Sequence, residues 1–135
     1  MKAYRALAQV DARSIAAFGL GLSDFAVLEI LLHKGPLPVN TIGRQVMLTS
    51  GSITTAVDRL EQKRLVRREA CPDDRRVTYV TLTAEGRTLI RRVFKLHANR
   101  LEKVFDPLSA KERSALGTLL KKLGKHGESL LDQQG

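Results

Sequence analysis

The stretch Ser50–Leu82, SGSITTAVDRLEQKRLVRREACPDDRRVTYVTL, changes its hydrophobic period partway along, and the place of that change decides the fold. Up to Leu65 the apolar residues Ile53, Ala56, Val57 and Leu60 return at intervals of three and four. That spacing predicts a helix over 52–65 with one buried face, while Ser52, Thr55, Arg59, Gln62 and Lys63 gather on the opposite side. Beyond Leu65 the period drops to two. Val66–Glu69 reads as a short strand, Pro72-Asp73-Asp74 as a turn, and Thr78, Val80 and Leu82 alternate with Val77, Tyr79 and Thr81. A helix running into a β-hairpin with a charged tip is the expected result.

Working outward, Val39, Ile42 and Val46 predict a short helix just upstream, closed by the break Leu48-Thr49-Ser50-Gly51. Two short helices thus meet across a tight turn. Further upstream, Leu7, Val10, Ile15 and Phe18 suit a loosely amphipathic helix over 3–18, ended by Gly19-Leu20-Gly21. Ser23 is the expected N-cap of the next helix, with Asp24 in its first turn and Phe25, Val27, Leu28, Leu31 and Leu32 on its apolar side. Gly35-Pro36-Leu37-Pro38 reads as the turn that stops it. Downstream, Thr83 caps a long helix whose stripe runs from Leu89 through Phe94 and His97 to Phe105, and Ser109-Ala110-Lys111-Glu112 is a capping box opening a last helix. That helix carries Leu116, Leu119, Leu120, Leu123, Leu130 and Leu131, with Gly124 and Gly127 lowering its intrinsic stability.

Composition narrows the functional class. At 135 residues and 43% apolar, with four Phe, two Tyr and no Trp, the chain suits one domain with an aliphatic core. Lys and Arg number 23 against 14 Asp and Glu, a net charge of +9, which points to a polyanionic partner. The excess is concentrated: Arg59–Lys103 holds thirteen Lys or Arg against six Asp or Glu. No run approaches the roughly 18 apolar residues of a membrane span and no signal-peptide core is evident, so a cytoplasmic protein without membrane contact is expected. The single Cys71 cannot pair within the chain; nearby arginines would favour its thiolate, but an incidental surface thiol is the simpler reading. His33, His97 and His126 lack metal-site spacing, and there is no phosphate loop, nucleophile elbow or paired carboxylate set. The expectation is a non-enzyme with neither cofactor nor metal.

A helix reads duplex DNA when one face is fixed to a core and the other offers short polar side chains to the major groove. The segment from Ser50 to Lys63 meets both demands: Ser50, Ser52, Thr54 and Thr55 lie near its N-terminus, and Arg59 and Lys63 are placed to reach backbone oxygens. Arg44 and Gln45 on the preceding helix would cross the backbone in support. Arg67, Arg68, Arg75 and Arg76 crowd a hairpin with little apolar surface of its own, a shape suited to the electronegative minor groove. Two alternatives use the same features. An RNA-binding winged helix would display stacking aromatics, yet Tyr79 is the only aromatic in the hairpin, and a protein-interaction module would tolerate loss of the arginines.

The segments Leu60–Arg68, Pro72–Arg76 and Val80–Gly86 together resemble the core signature of the MarR family of bacterial regulators, and Leu22–Glu29 resembles that family's second helix. The resemblance covers about Leu22 to Gly86. It implies a mainly α, α+β fold in a single domain, 1–135. A winged helix-turn-helix with a two-stranded β wing would occupy 22–83, and dimerisation helices 1–21 and 84–135. It further implies a homodimer acting on a pseudo-palindromic operator, usually as a repressor. Asp74, Arg75 and Arg76 would match the family's wing pattern, in which the aspartate orients its basic neighbours and an arginine enters the minor groove. Leu7, Phe105, Leu116, Leu119, Leu120, Leu123 and Leu130 would serve dimerisation, consistent with more leucines than a small core can cover. The small aromatic ligands of that family imply a cleft near Phe18, Phe25 and Phe94. Cys71 departs from the family, which commonly has aspartate before the proline.

Overall fold

The computed structural model describes residues 1–133, in two compact units, Met1–Arg100 and the segment from Leu101 onward. The last two positions of the helical segment expected over 84–135 lie outside the described residues. Along the chain run α1 (Lys2–Ala16), α2 (Leu22–Lys34), β1 (Leu37–Pro38), α3 (Val39–Gln45), α4 (Ser50–Gln62), β2 (Val66–Ala70), β3 (Thr78–Leu82), α5 (Ala84–Glu102), a 3-10 turn at Lys103–Phe105 and α6 (Ala110–Asp132). The helix, turn, helix and wing expected over Val39–Leu82 are all present. The sheet has a further member. Antiparallel order β1-β3-β2 sets Leu37 opposite Val80 and Pro38 opposite Tyr79, so part of the segment read as a turn pairs with the wing. On the other side Val66 faces Leu82, Arg68 faces Val80 and Ala70 faces Thr78.

The first unit is organised about an aliphatic core. Ile15 of α1, Val27, Leu28 and Leu31 of α2, Ile42 of α3, Ile53, Val57 and Leu60 of α4, Val66 and Val80 of the sheet, and Ile90 and Val93 of α5 are almost wholly buried. Each such side chain contributes roughly 1.5–3 kcal/mol relative to exposure, and together they clamp the inner face of α4. Its outer face is left to solvent.

Helix ends differ in detail from the sequence expectation. Gly21, in extended backbone, precedes α2 in place of Ser23 and supplies no side-chain cap. Thr49 caps α4 by accepting the Ser52 N–H at 3.2 Å, which starts that helix two residues before 52. Thr83 caps α5 as expected, accepting the Gly86 N–H at 3.0 Å. Both helices of the helix-turn-helix end in the Schellman pattern. Leu48 N–H reaches Gly43 O at 2.8 Å after α3, and Leu65 N–H reaches Leu60 O at 2.9 Å after α4. The left-handed residues that close these ends are Met47 and Arg64, each at φ 59°, where glycine is usual.

In the second unit the capping box is complete: Glu112 N–H donates to Ser109 Oγ at 3.2 Å, and Ser109 N–H to Glu112 Oε2 at 2.7 Å. Arg113 turns back to the carbonyls of Phe105 and Leu108, at 3.1 and 3.2 Å. No residue of α6 is buried within the chain.

Candidate nucleic-acid interface

The exposed side of α4 carries Ser50, Ser52, Thr54, Thr55, Asp58 and Arg59, because Ile53, Ala56, Val57 and Leu60 take the buried side. Thr54 Oγ1 donates to Ser50 O at 2.8 Å and Thr55 Oγ1 to Gly51 O at 3.0 Å. Their protons are thus used inside the helix, and each hydroxyl faces solvent with acceptor lone pairs and a methyl group. Such a surface suits the amino groups of adenine and cytosine and the methyl of thymine in the major groove.

Arg59 and Lys63, expected to reach backbone oxygens, also pair with an acid of α2. Arg59 Nη2 donates to Asp24 Oδ1 at 2.7 Å and Nε to Oδ2 at 3.4 Å, with Lys63 Nζ 3.9 Å from Oδ2. The Asp24 side chain is only 4% exposed, whereas Arg59 is 46% exposed. A buried carboxylate therefore ties α4 and its C-terminal end to α2 and leaves the outer part of both cations in solvent. The position of Asp24 in the first turn of α2 predicts a helix-end role alone, because a partner 35 positions away leaves no local trace.

The wing is tied to α4 by a second ion-pair set. Arg68 of β2 donates from Nη1 to Glu61 Oε2 and from Nη2 to Asp58 Oδ1, each at 2.6 Å, and its backbone N–H reaches Glu61 Oε1 at 3.2 Å. At the tip, Arg76 folds onto Asp74, with Nε 3.1 Å from Oδ1 and the backbone N–H 3.0 Å from the same oxygen. Those hydrogen bonds hold the Asp74 carboxyl below its usual range. Arg76 is still 90% exposed, so its charge is presented and not spent. Arg67 pairs with Glu69. Arg75 is exposed and, among the described residues, forms no ion pair. Between α3, α4 and the wing lies an open groove of about 420 Å³ reached by Asn40, Ser50, Thr54, Arg68 and Arg76.

The remaining expected residues fall as follows. Arg44 is exposed on α3, 3.5 Å from Thr41 Oγ1. Phe18 lies under the Arg100 guanidinium at 4.7 Å, Phe25 meets His97 edge-on at 5.0 Å, and Phe94 meets His33 at 4.9 Å. Each of the three rings thus has its own partner. His97 is buried and bridges α1 and α5, with Nδ1 3.0 Å from Ser14 Oγ and Nε2 2.9 Å from Asp11 Oδ1. Leu7 is 40% exposed, and on α6 Leu119, Leu120, Leu123 and Leu130 are 63%, 56%, 69% and 47% exposed. Phe105, Leu116 and Leu120 line an apolar hollow of about 330 Å³ with Arg113 and Gly117. Cys71 is half-buried at the base of the wing turn, its N–H donated to Val77 O at 2.9 Å. Among the described residues there is no cluster of three or more metal-ligating side chains, and no helix is long and apolar enough to cross a membrane.

Comparison with known proteins bears on this geometry. Residues 20–78 match the MarR family. The chain is 42% identical over 123 residues to the HTH-type transcriptional regulator MhqR of Bacillus subtilis, covering 91% of this chain and 85% of that one. Among solved structures, AbsC, a MarR family transcriptional regulator from Streptomyces coelicolor, superposes with a TM-score of 0.82 at 25% identity, covering 95% of this chain and 88% of AbsC. The Bordetella bronchiseptica protein BpsR, whose DNA binding is regulated by 6-hydroxynicotinic acid, superposes with a TM-score of 0.79 at 25% identity, covering 91% and 88%.

Proposed function

Because the chain belongs to the MarR family of DNA-binding transcriptional regulators, we propose that it acts as a homodimeric repressor on a pseudo-palindromic operator, released by a small aromatic ligand. The observation that carries the DNA-reading part is the pairing of an exposed Ser and Thr face on α4 with an arginine-tipped wing, joined through Arg68, Asp58 and Glu61. One body then offers a major-groove surface and a minor-groove arm side by side. Thr54 and Thr55 read base edges, Ser50 and Ser52 meet phosphate at the helix N-terminus, and Arg75 and Arg76 enter the adjacent minor groove.

Homodimerisation is supported by the leucines of α6 that stay exposed among the described residues. Two-fold symmetry would set two copies of α4 about one DNA turn, roughly 34 Å, apart. The ligand part rests on the example of BpsR.

The test is an anisotropy titration of the protein against random duplexes and matched single strands at two salt concentrations, with retained duplexes sequenced. Enrichment of a symmetric site, bound less tightly at higher salt, is the expected outcome. A preference for single strands would favour RNA binding instead, and an asymmetric site would remove the dimer.

A further inference from the structure

Met47 combines two costs that nothing among the described residues offsets. It holds φ at 59°, a left-handed conformation costing a side-chain-bearing residue about 1–2 kcal/mol, and it leaves 91% of an apolar side chain in water. Its backbone is committed to closing α3, since Met47 N–H reaches Arg44 O at 3.3 Å and Leu48 N–H reaches Gly43 O at 2.8 Å. Glycine would close the helix equally well and with less strain. The apolar contact that usually accompanies such an end comes from Leu48, which packs against the core, and not from Met47.

Arg64 provides a contrast. It has the same φ at the end of α4, but there a cation meets the negative end of the helix dipole, which is reason enough for a side chain. Met47 has no charge to offer. What distinguishes it is place: it lies in the turn between α3 and α4, two residues ahead of the Thr49 cap. When a helix-turn-helix docks, the second helix puts its N-terminal residues at base edges and the first crosses the backbone, so the turn joining them lies at the lip of the major groove. The apolar feature offered there is the C5-methyl of thymine.

We infer that Met47 is a specificity-determining contact, packing its thioether side chain against a thymine methyl at the edge of each half-site. The inference rests on the DNA-reading role of α4 proposed above. An unbranched, polarisable side chain with three rotatable bonds suits an irregular groove wall, and covering it with DNA removes the cost of its exposure. The strained residue thus contributes to binding in place of stability.

The experiment takes the operator selected by the full-length protein and replaces its thymines one at a time by deoxyuracil, which lacks only the methyl. For wild type, every thymine whose methyl is packed loses affinity, and at one such position in each half-site the loss of about fourfold, the worth of one buried methyl, depends on Met47. Met47→Gly binds the unmodified operator more weakly by at least that factor, is insensitive to deoxyuracil at that position and melts at a higher temperature. Met47→Leu stays within twofold of wild type and keeps the sensitivity. Equal binding by Met47→Gly, a flat deoxyuracil scan in wild type, or a Met47→Gly protein that melts lower would each overturn the inference. If wild type selects no duplex at all, the DNA-reading role of α4 fails first and takes this contact with it.

Discussion

At the scale of single residues, charge is sorted by what it is tied to. Arg59, Lys63 and Arg68 carry positive charge on and beside α4, yet Asp24, Asp58 and Glu61 hold them in place. In the wing, Arg75 and Arg76 are the arginines most open to a partner, the latter steadied by Asp74 while 90% exposed. Arg76→Ala is therefore expected to weaken binding to all duplexes alike and to reduce the slope of log affinity against log salt by about 1. An anisotropy series over salt measures this, and an unchanged slope would place the wing away from phosphate. The wing arginines were legible in the sequence because they cluster within a few residues. Which of them were free was not, since Arg68 takes its partners from another element, just as Arg59 of α4 takes its partner from a helix 35 residues earlier.

At the scale of elements, the clearest sequence signal was the change of period at Leu65, because helix and strand bury different residues. The least legible was β1: two residues give no periodicity, and prolines on either side of Leu37 read as a turn although the segment pairs with β3. The junction of α4 with α5 is also a matter of contact and not of pattern. A Cβ at Gly86 would stand 1.9 Å from Leu65 O, the same carbonyl that accepts the Thr83 N–H at 3.1 Å. Within a helix Gly to Ala normally stabilises by up to about 1 kcal/mol. Here Gly86→Ala is expected to cost about 3 kcal/mol or more, read as a lowered urea midpoint with an unchanged slope. The start of α6 responds to acid. The Ser109 N–H and hydroxyl hold Glu112 below its ordinary value of 4.5, so its contribution is complete above that value and fades as pH falls through the lowered one. Amide protection at the start of α6 should decline on acidification below about pH 4.5, and Glu112→Gln should abolish that dependence.

At the scale of the whole molecule, the +9 charge suits the DNA that this family binds, and the exposed leucines are the surface on which the proposed dimer depends. Leu123 is 69% exposed, so Leu123→Glu should leave each chain folded. The variant is expected to sediment at the 15.0 kDa of one chain and to lose at least a hundredfold in operator affinity, because two linked half-sites become two separate ones. A wild-type protein that itself sediments at 15.0 kDa would end the dimer proposal. The short strand β1 has a consequence for crowding. Its one proline, Pro38, and Pro36 just before the strand lack an N–H to donate, and β2, the opposite margin of the sheet, carries Arg67, Arg68 and Glu69. Neither margin offers a long, uncharged row of free backbone groups, so strand-to-strand pairing between crowded copies of this chain is disfavoured at both edges of the sheet.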